Sequence, residues 1–132
     1  MGLDLRADGY PKEELRIGYI GFGVIRRQIA KSYNERLGEI YEKPYKLWEY
    51  SYSQEEIEEY NSICDDNLDI LLHHSDCDGR MKYHECRKII RALDRIDFKY
   101  PDDFRQDWKE KYYVLKDMIR YCAKNRKRLY FC

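Results

Sequence analysis

The sequence lacks any apolar run of about 18 residues, the length that a helix needs to span a bilayer. It also lacks the apolar core of a secretory signal peptide near its start. We therefore expect a cytoplasmic protein with no membrane partner. No paired C-x-x-C motif is present, and the five cysteines are an odd number, which favours free thiols over a disulfide framework.

The chain also has no net charge, because 25 Lys and Arg residues balance 25 Asp and Glu residues. A nonspecific nucleic-acid binder depends on a strong positive field, so the composition argues against nucleic acid as a partner. The one basic run, Lys124–Arg128, follows a helical pattern, and cations are favourable at the C-terminus of a helix.

What the chain does contain predicts one folded domain over residues 1–132. Hydrophobic residues make up 43% and charged residues 38%, a balance that suits a buried core under a solvated surface. Fourteen tyrosines dominate the aromatic content. Tyrosine combines apolar area with a hydroxyl, so these residues either surround the core or form a binding surface.

Hydrophobic spacing predicts a mainly α fold of the α+β class, a compact helical domain with a small sheet. Residues 1–13 are predicted to be an irregular lead-in, and Leu15–Ile20 a strand. A helix is expected from Phe22 to Leu37, ended by Gly38, and Tyr41–Tyr52 is predicted to be a loop that contains Pro44.

The second half of the chain has clearer helix signals. Ser53 and Glu56 form a capping-box pattern, and Asp65 or Asp66 is expected to cap a short helix. Two longer helices follow, separated by the break at Tyr100-Pro101. Residues 128–132 are predicted to form a strand that pairs with residues 15–20 in a two-stranded sheet.

The segment Arg16–Ala30 superficially resembles a dinucleotide-binding turn. Gly21 and Gly23 fill the first two glycine positions of G-x-G-x-x-G, but the third position is Arg26. A long side chain there prevents close packing of helix on strand, and no acidic strand end follows about 20 residues later. We interpret the segment as a strand-to-helix turn without a cofactor.

The chemically informative segment is residues 74–85, which matches the spacing of an EF-hand loop. Such a loop has twelve residues, with oxygen ligands at positions 1, 3, 5 and 12, a glycine at 6 and a carbonyl ligand at 7. In that alignment the predicted metal ligands are His74, Asp76, Asp78, the Arg80 carbonyl and Glu85. Gly79 falls at position 6 and Met81 at the usual apolar position 8.

The departure from the pattern is His74, because calcium prefers oxygen to an imidazole nitrogen. A hard divalent cation such as calcium is the first interpretation, and a metal-free loop closed by hydrogen bonds from the aspartates is the second. The third is a zinc-binding structural domain that uses some of the nearby N and S donors, although no standard zinc spacing is present. These donors are His73, His74, Cys77, His84 and Cys86.

No complete catalytic constellation can be read from the sequence, so a non-enzymatic protein is expected. Cys77 lies near histidines, but Asp76 and Asp78 flank it and disfavour its thiolate.

The run from Leu71 through His74-Ser-Asp-Cys-Asp-Gly79, followed by Glu85-Cys86, resembles a family of small bacterial and phage proteins whose function is not established. The segments Gly18–Ala30, Tyr121–Asn125 and Leu129–Cys132 resemble the same family. The resemblance implies a phage or prophage source, and small phage proteins often act on host proteins.

Two functions follow as expectations. The first is a small non-enzymatic binding protein that acts on a protein partner, a host protein if the source is a phage. The alternative is a protein that sequesters a small anionic ligand such as a nucleotide signal, which would require Arg26, Arg27, Arg87 and Lys88 to converge.

Overall fold

The computed structural model describes residues 2–47, 50–74 and 79–131. Its helices are α1 (Tyr19–Tyr33), α2 (Glu35–Lys46), α3 (Gln54–Ile63), α4 (Asp66–Leu72), α5 (Tyr83–Asp94) and α6 (Gln106–Asn125). Its strands are β1 (Gly2–Ala7), β2 (Arg16–Gly18), β3 (Arg80–Met81) and β4 (Leu129–Phe131). The predicted mainly α fold with a small sheet is therefore confirmed.

The sheet is larger than the sequence indicated. All neighbouring strands are antiparallel, in the order β2-β1-β4-β3. The prediction of an irregular lead-in over residues 1–13 is wrong, because Leu3, Leu5 and Ala7 alternate inward and make β1 a central strand. Residues 128–132 were correctly predicted to contain a strand, but β4 pairs with β1 and β3 rather than with β2.

Helices α1 and α2 replace the single helix that was predicted across this region. Asn34 has an extended backbone, ends α1, and accepts a hydrogen bond from the Leu37 backbone N–H at 3.0 Å as the N-cap of α2. Gly38 therefore lies inside α2 and is not a helix stop. Pro44 also lies within α2, near its end, although proline removes one helical hydrogen bond and crowds the carbonyl four residues earlier.

The two predicted caps are confirmed. Ser53 accepts from the Glu56 backbone N–H at 3.1 Å, and the Glu56 carboxylate accepts from the Ser53 N–H at 3.0 Å, which completes the capping box of α3. Asp65 caps α4 by accepting from the Asn67 N–H at 2.7 Å.

Arg26 of α1 is a buried cation that reaches the end of α4. Its Nη1 donates to the carbonyl oxygens of Leu72 at 3.1 Å and His74 at 2.6 Å, with a longer contact to Leu71 at 3.5 Å. Leu71 and Leu72 are the last two residues of α4, so their carbonyls lie at the negative end of its dipole. Arg26, which stands at the third glycine position of the dinucleotide-binding pattern, thus has a structural function, because it holds α4 against α1.

One core lies between the sheet and the helices. Its largest fully buried side chains include Leu3, Phe22, Leu71, Met81 and Tyr112. Helix α5 packs along α6, and α1 along α2. None of the helices in the described part of the chain combines the length and apolar composition that crossing a lipid bilayer requires.

The first prediction concerns the crossing of α1 and α2. A Cβ on Gly38 would lie 2.8 Å from the Cα of Lys31, so the two backbones would have to separate. We expect Gly38→Ala to lower the free energy of unfolding by about 1–3 kcal/mol despite the better helix propensity of alanine. Gly18→Ala is the control, because nothing lies within 4 Å of the added methyl. Equal denaturation midpoints for both variants would contradict the prediction.

The second prediction concerns Arg26. Arg26→Leu should lower the free energy of unfolding by about 3 kcal/mol or more, because it removes the hydrogen bonds of a buried guanidinium to the Leu72 and His74 carbonyls. Arg27→Leu is the matched control, since Arg27 donates to the Gly23 carbonyl of its own helix and lies over the Tyr45 ring. Urea denaturation of both variants measures the difference, and a similar loss from each would show that the carbonyl contacts contribute little.

Candidate functional site

The predicted EF-hand segment has the expected order of elements in its described part. Helix α4 leads in, Gly79 adopts φ = 93°, β3 occupies positions 7 and 8, and Lys82 is the N-cap of α5. Met81 pairs with Leu129, as position 8 of a paired EF-hand bonds to a neighbouring strand. In the described residues, α4 precedes and α5 follows the segment, and β3 pairs with β4.

The predicted ligands are only partly described. Asp76 and Asp78 lie outside the described residues. The His74 ring stacks on Phe131 with centroids 4.0 Å apart, and its Nε2 lies 3.4 Å from the Arg80 carbonyl oxygen. Glu85 accepts from the Lys82 backbone N–H at 3.0 Å. The structure thus brings His74 to the Arg80 carbonyl, while the Glu85 carboxylate caps α5.

Among residues 2–47, 50–74 and 79–131, no three His, Cys, Asp or Glu side chains are grouped so that they could hold a metal ion. The side chains that the zinc hypothesis requires do not lie together where they are described. His73 pairs with Asp69, and His84 lies at an exposed position of α5. Cys86 is fully buried, and its thiol is hydrogen-bonded to Cys122, which together with burial raises its pKa. Cys77 lies outside the described residues, as does Cys132.

A second feature is a pair of adjoining depressions between α2, α3 and α4, which we call the tyrosine groove. The first has a volume of about 160 Å³ and is lined by Ile40, Tyr52, Glu56, Ile57, Tyr60, Asn61, Asp69 and His73. The second, of about 380 Å³, shares Tyr52 and His73 and adds Arg26, Tyr41, Pro44, Tyr45, Leu72 and His74. Segment Tyr41–Tyr52, predicted as a loop, thus supplies groove residues from α2 and from the chain that follows it.

A polar cluster lies in the first depression. Asp69 Oδ1 is 2.6 Å from His73 Nδ1 and accepts from the Tyr60 hydroxyl at 2.9 Å. Sequence reasoning missed this pair, although Asp69 and His73 are four residues apart on one helix face, the spacing at which side chains meet. Such a pair orients an imidazole, as in many catalytic sites.

The cluster contains no activated nucleophile. Burial, opposed by the Tyr60 hydroxyl and reinforced by three neighbouring aspartates, raises the pKa of Cys64 to about 11. Burial and its hydrogen bonds to Cys64 and Asp69 also raise the pKa of Tyr60. Both groups therefore stay protonated near neutral pH, and neither supplies an attacking anion.

Glu56, on the other side of the depression, stays ionised. The Lys43 ammonium, 2.5 Å away, the Tyr50 hydroxyl and the Ser53 backbone lower the pKa of Glu56 to about 2. Glu56 therefore cannot act as a proton donor at neutral pH. The groove is thus lined by tyrosines and by the carboxylates of Glu56 and Asp69, and the Arg26 guanidinium is bound to backbone carbonyls.

The four basic residues that binding of a small anionic ligand would require do not lie together. Arg26 is buried against α4, and Arg27 contacts Gly23 and Tyr45. Arg87 donates to the Ala123 carbonyl at 3.1 Å and lies over the Tyr83 ring. Lys88 is exposed on α5. These four residues therefore do not form one anion pocket.

Comparison with models of protein families, with curated proteins and with solved structures finds no match to this chain. The resemblance to bacterial and phage proteins accordingly stays a prediction, and function has to be inferred from the geometry of the chain itself.

The third prediction concerns metal binding by the loop. We expect chelator-treated protein to bind calcium with a dissociation constant of roughly 1 mM, because position 1 is an imidazole. His74→Asp supplies the missing carboxylate and should tighten binding about tenfold, since ligand charge sets the affinity of such loops. Calorimetric titration measures both values.

His84→Asp is the control for that titration, because it makes the same change of side chain at position 11, which ligates nothing. If neither the native protein nor His74→Asp releases heat or gains thermal stability with calcium, the loop is a structural turn. An equal gain from both variants would show a general charge effect and not a site.

Proposed function

We propose that this chain is a small non-enzymatic binding protein that takes a segment of a partner protein into the tyrosine groove. The observation that carries the proposal is the groove itself: tyrosine and aliphatic surface that stays accessible between three helices. Tyr45 is 51% exposed and Ile57 42% exposed, although both are large apolar residues. Tyrosine at a concave surface is typical of protein interfaces, where it buries area and keeps a hydroxyl for hydrogen bonds.

The charge around the groove indicates the chemistry of the partner. Residues 47–79 contain ten acidic residues and no Lys or Arg. Glu56 and Asp69 line the first depression, and the exposed carboxylate of Asp66, about one turn before Asp69 on α4, forms no ion pair within the described part of the chain. A segment with an apolar or aromatic anchor flanked by Lys or Arg would match both the groove and its rim.

A binding role also agrees with the chemistry of the polar cluster. Asp69 and Tyr60 hold the His73 ring in place. This ring packs edge-to-face against Tyr41 and Tyr60, with centroid distances of 6.0 and 5.3 Å. With Cys64 and Tyr60 held protonated, the cluster is suited to presenting a rigid hydrogen-bonding surface. The resemblance to phage proteins favours a host protein as the partner.

The fourth prediction tests this proposal with a displayed library of random peptides selected on the immobilised protein. We expect enrichment of peptides that combine an aromatic or aliphatic anchor with Lys or Arg, and dissociation constants in the micromolar range. Ile57→Ser should weaken these peptides by about tenfold, because it removes apolar contact area from the lining of the first depression. Fluorescence polarisation with the selected peptides gives the values.

Ile20→Ser is the matched control. Ile20 is 81% exposed on α1 and does not line the groove, so the same substitution there should leave peptide affinity unchanged. Selection of acidic peptides, or equal effects of the two variants, would refute the proposed groove or its charge preference. Circular dichroism of both variants verifies that the fold is retained.

A further inference from the structure

The zero net charge of the chain conceals a strong separation of charge along it. Residues 80–132 contain sixteen Lys and Arg residues against eight Asp and Glu residues, whereas residues 47–79 contain no basic residue at all. A neutral total therefore does not exclude a local field, because screening limits interactions to about 10 Å at ordinary salt. The location of the positive charges in the fold decides what they can bind.

Helix α5 carries a stripe of basic side chains on its outer face. At about 100° per residue, positions 84, 87, 88, 91 and 95 fall within an arc of about 100°. All five side chains are exposed: His84, Arg87, Lys88, Arg91 and Arg95. The two carboxylates of α5 are engaged elsewhere, since Glu85 caps the helix and Asp94 pairs with Arg120 at 2.7 Å and Lys116 at 3.4 Å.

The stripe continues into a second basic group beyond the end of α6. A groove of about 470 Å³ is bordered by Lys82, Arg126, Lys127 and Arg128, with Asp8 as one carboxylate at its edge. Three rings also line it, those of Tyr83, His84 and Tyr130. Arg87 joins the two groups, because it lies over the Tyr83 ring and donates to the Ala123 carbonyl near the end of α6.

These cations differ in one respect from four of the basic residues of α1 and α2. Lys31, Arg36, Lys43 and Lys46 each form an ion pair with a glutamate, at 2.5–3.1 Å. Within the described residues, by contrast, no carboxylate lies within ion-pair distance of the Lys and Arg residues of the α5 stripe or of the groove. Uncompensated like charges on one surface repel each other, and a bound polyanion removes that repulsion.

We propose that this surface, the α5 stripe together with the groove of Lys82 and Arg126–Arg128, binds the backbone of a single-stranded nucleic acid. The cations supply the sequence-independent attraction to phosphates, and the Tyr83, His84 and Tyr130 rings supply faces on which bases stack. A basic groove with interleaved aromatic rings is the arrangement that single-strand binding uses, and it is separate from the tyrosine groove.

Two other polyanions match the surface less well. An anionic membrane would require apolar side chains that insert between lipids. None of the large exposed hydrophobic residues of the described chain belongs to this surface. A mononucleotide would engage only the groove and would leave the stripe of α5 uncompensated. A strand of several nucleotides can reach from the groove along α5.

The test is fluorescence anisotropy with a labelled single strand of about 20 nucleotides, at a series of salt concentrations. We expect binding by the native protein that weakens steeply as salt rises. Lys88→Gln with Arg91→Gln removes two stripe charges, and Lys127→Gln with Arg128→Gln removes two groove charges. Each double variant should lose at least about tenfold in affinity at low salt. The slope of log affinity against log salt concentration should become shallower by about 1.4, because each lost phosphate contact accounts for about 0.7.

Arg36→Gln with Lys46→Gln is the matched control, because it removes the same charge from paired cations of α2 and should leave the slope unchanged. A loss of affinity as large as that of the test variants would overturn the proposal, as would the absence of binding by the native protein at low salt. Tighter binding of a duplex with the same number of phosphates would overturn the single-strand assignment. Stronger binding to ATP or to phosphatidylserine vesicles than to the oligonucleotide would overturn nucleic acid as the ligand.

Discussion

The arrangement of this protein depends on the Arg26 guanidinium, which holds α1 against the C-terminal end of α4. Its donation to the Leu72 and His74 carbonyls satisfies groups that a short helix leaves exposed at its end. The Leu72 carbonyl also connects Arg26 to the tyrosine groove, because Tyr41, which lines the groove, donates to the same oxygen at 2.8 Å. Both candidate sites thus share one buried anchor.

Much of the helical architecture could be predicted from the sequence, because local signals decide it. The Ser53–Glu56 capping box and the Asp65 cap are interactions within four residues, and the structure contains both. Asn34, in contrast, breaks an apolar pattern that continues across it, and Pro44 is accommodated in a helix by the packing of α2 against α1. These outcomes depend on tertiary contacts that no local window contains.

The central strand β1 and the candidate grooves were missed for the same reason. Leu3, Leu5 and Ala7 alternate, but the strand is stabilised by a partner more than 120 residues away, since Leu5 pairs with Phe131. The spacing of Asp69 and His73 on one helix could have indicated their pairing. The sequence contains no comparable signal that Tyr60 and Tyr52 lie beside them. The EF-hand spacing assigned Gly79 to the sharp turn, where it adopts φ = 93°, but spacing alone indicated neither the β3 strand nor the stacking of the His74 ring on Phe131.

The pairing of β1 with β4 has a mechanical consequence. The strands are antiparallel, so the beginning of β1 and the end of β4 point toward the same edge of the molecule. A force applied between Gly2 and Phe131 would therefore peel the two strands apart one hydrogen bond at a time, instead of shearing all of them together. The domain should therefore yield more easily to a pull along this axis than to one that loads all the β1–β4 hydrogen bonds at once.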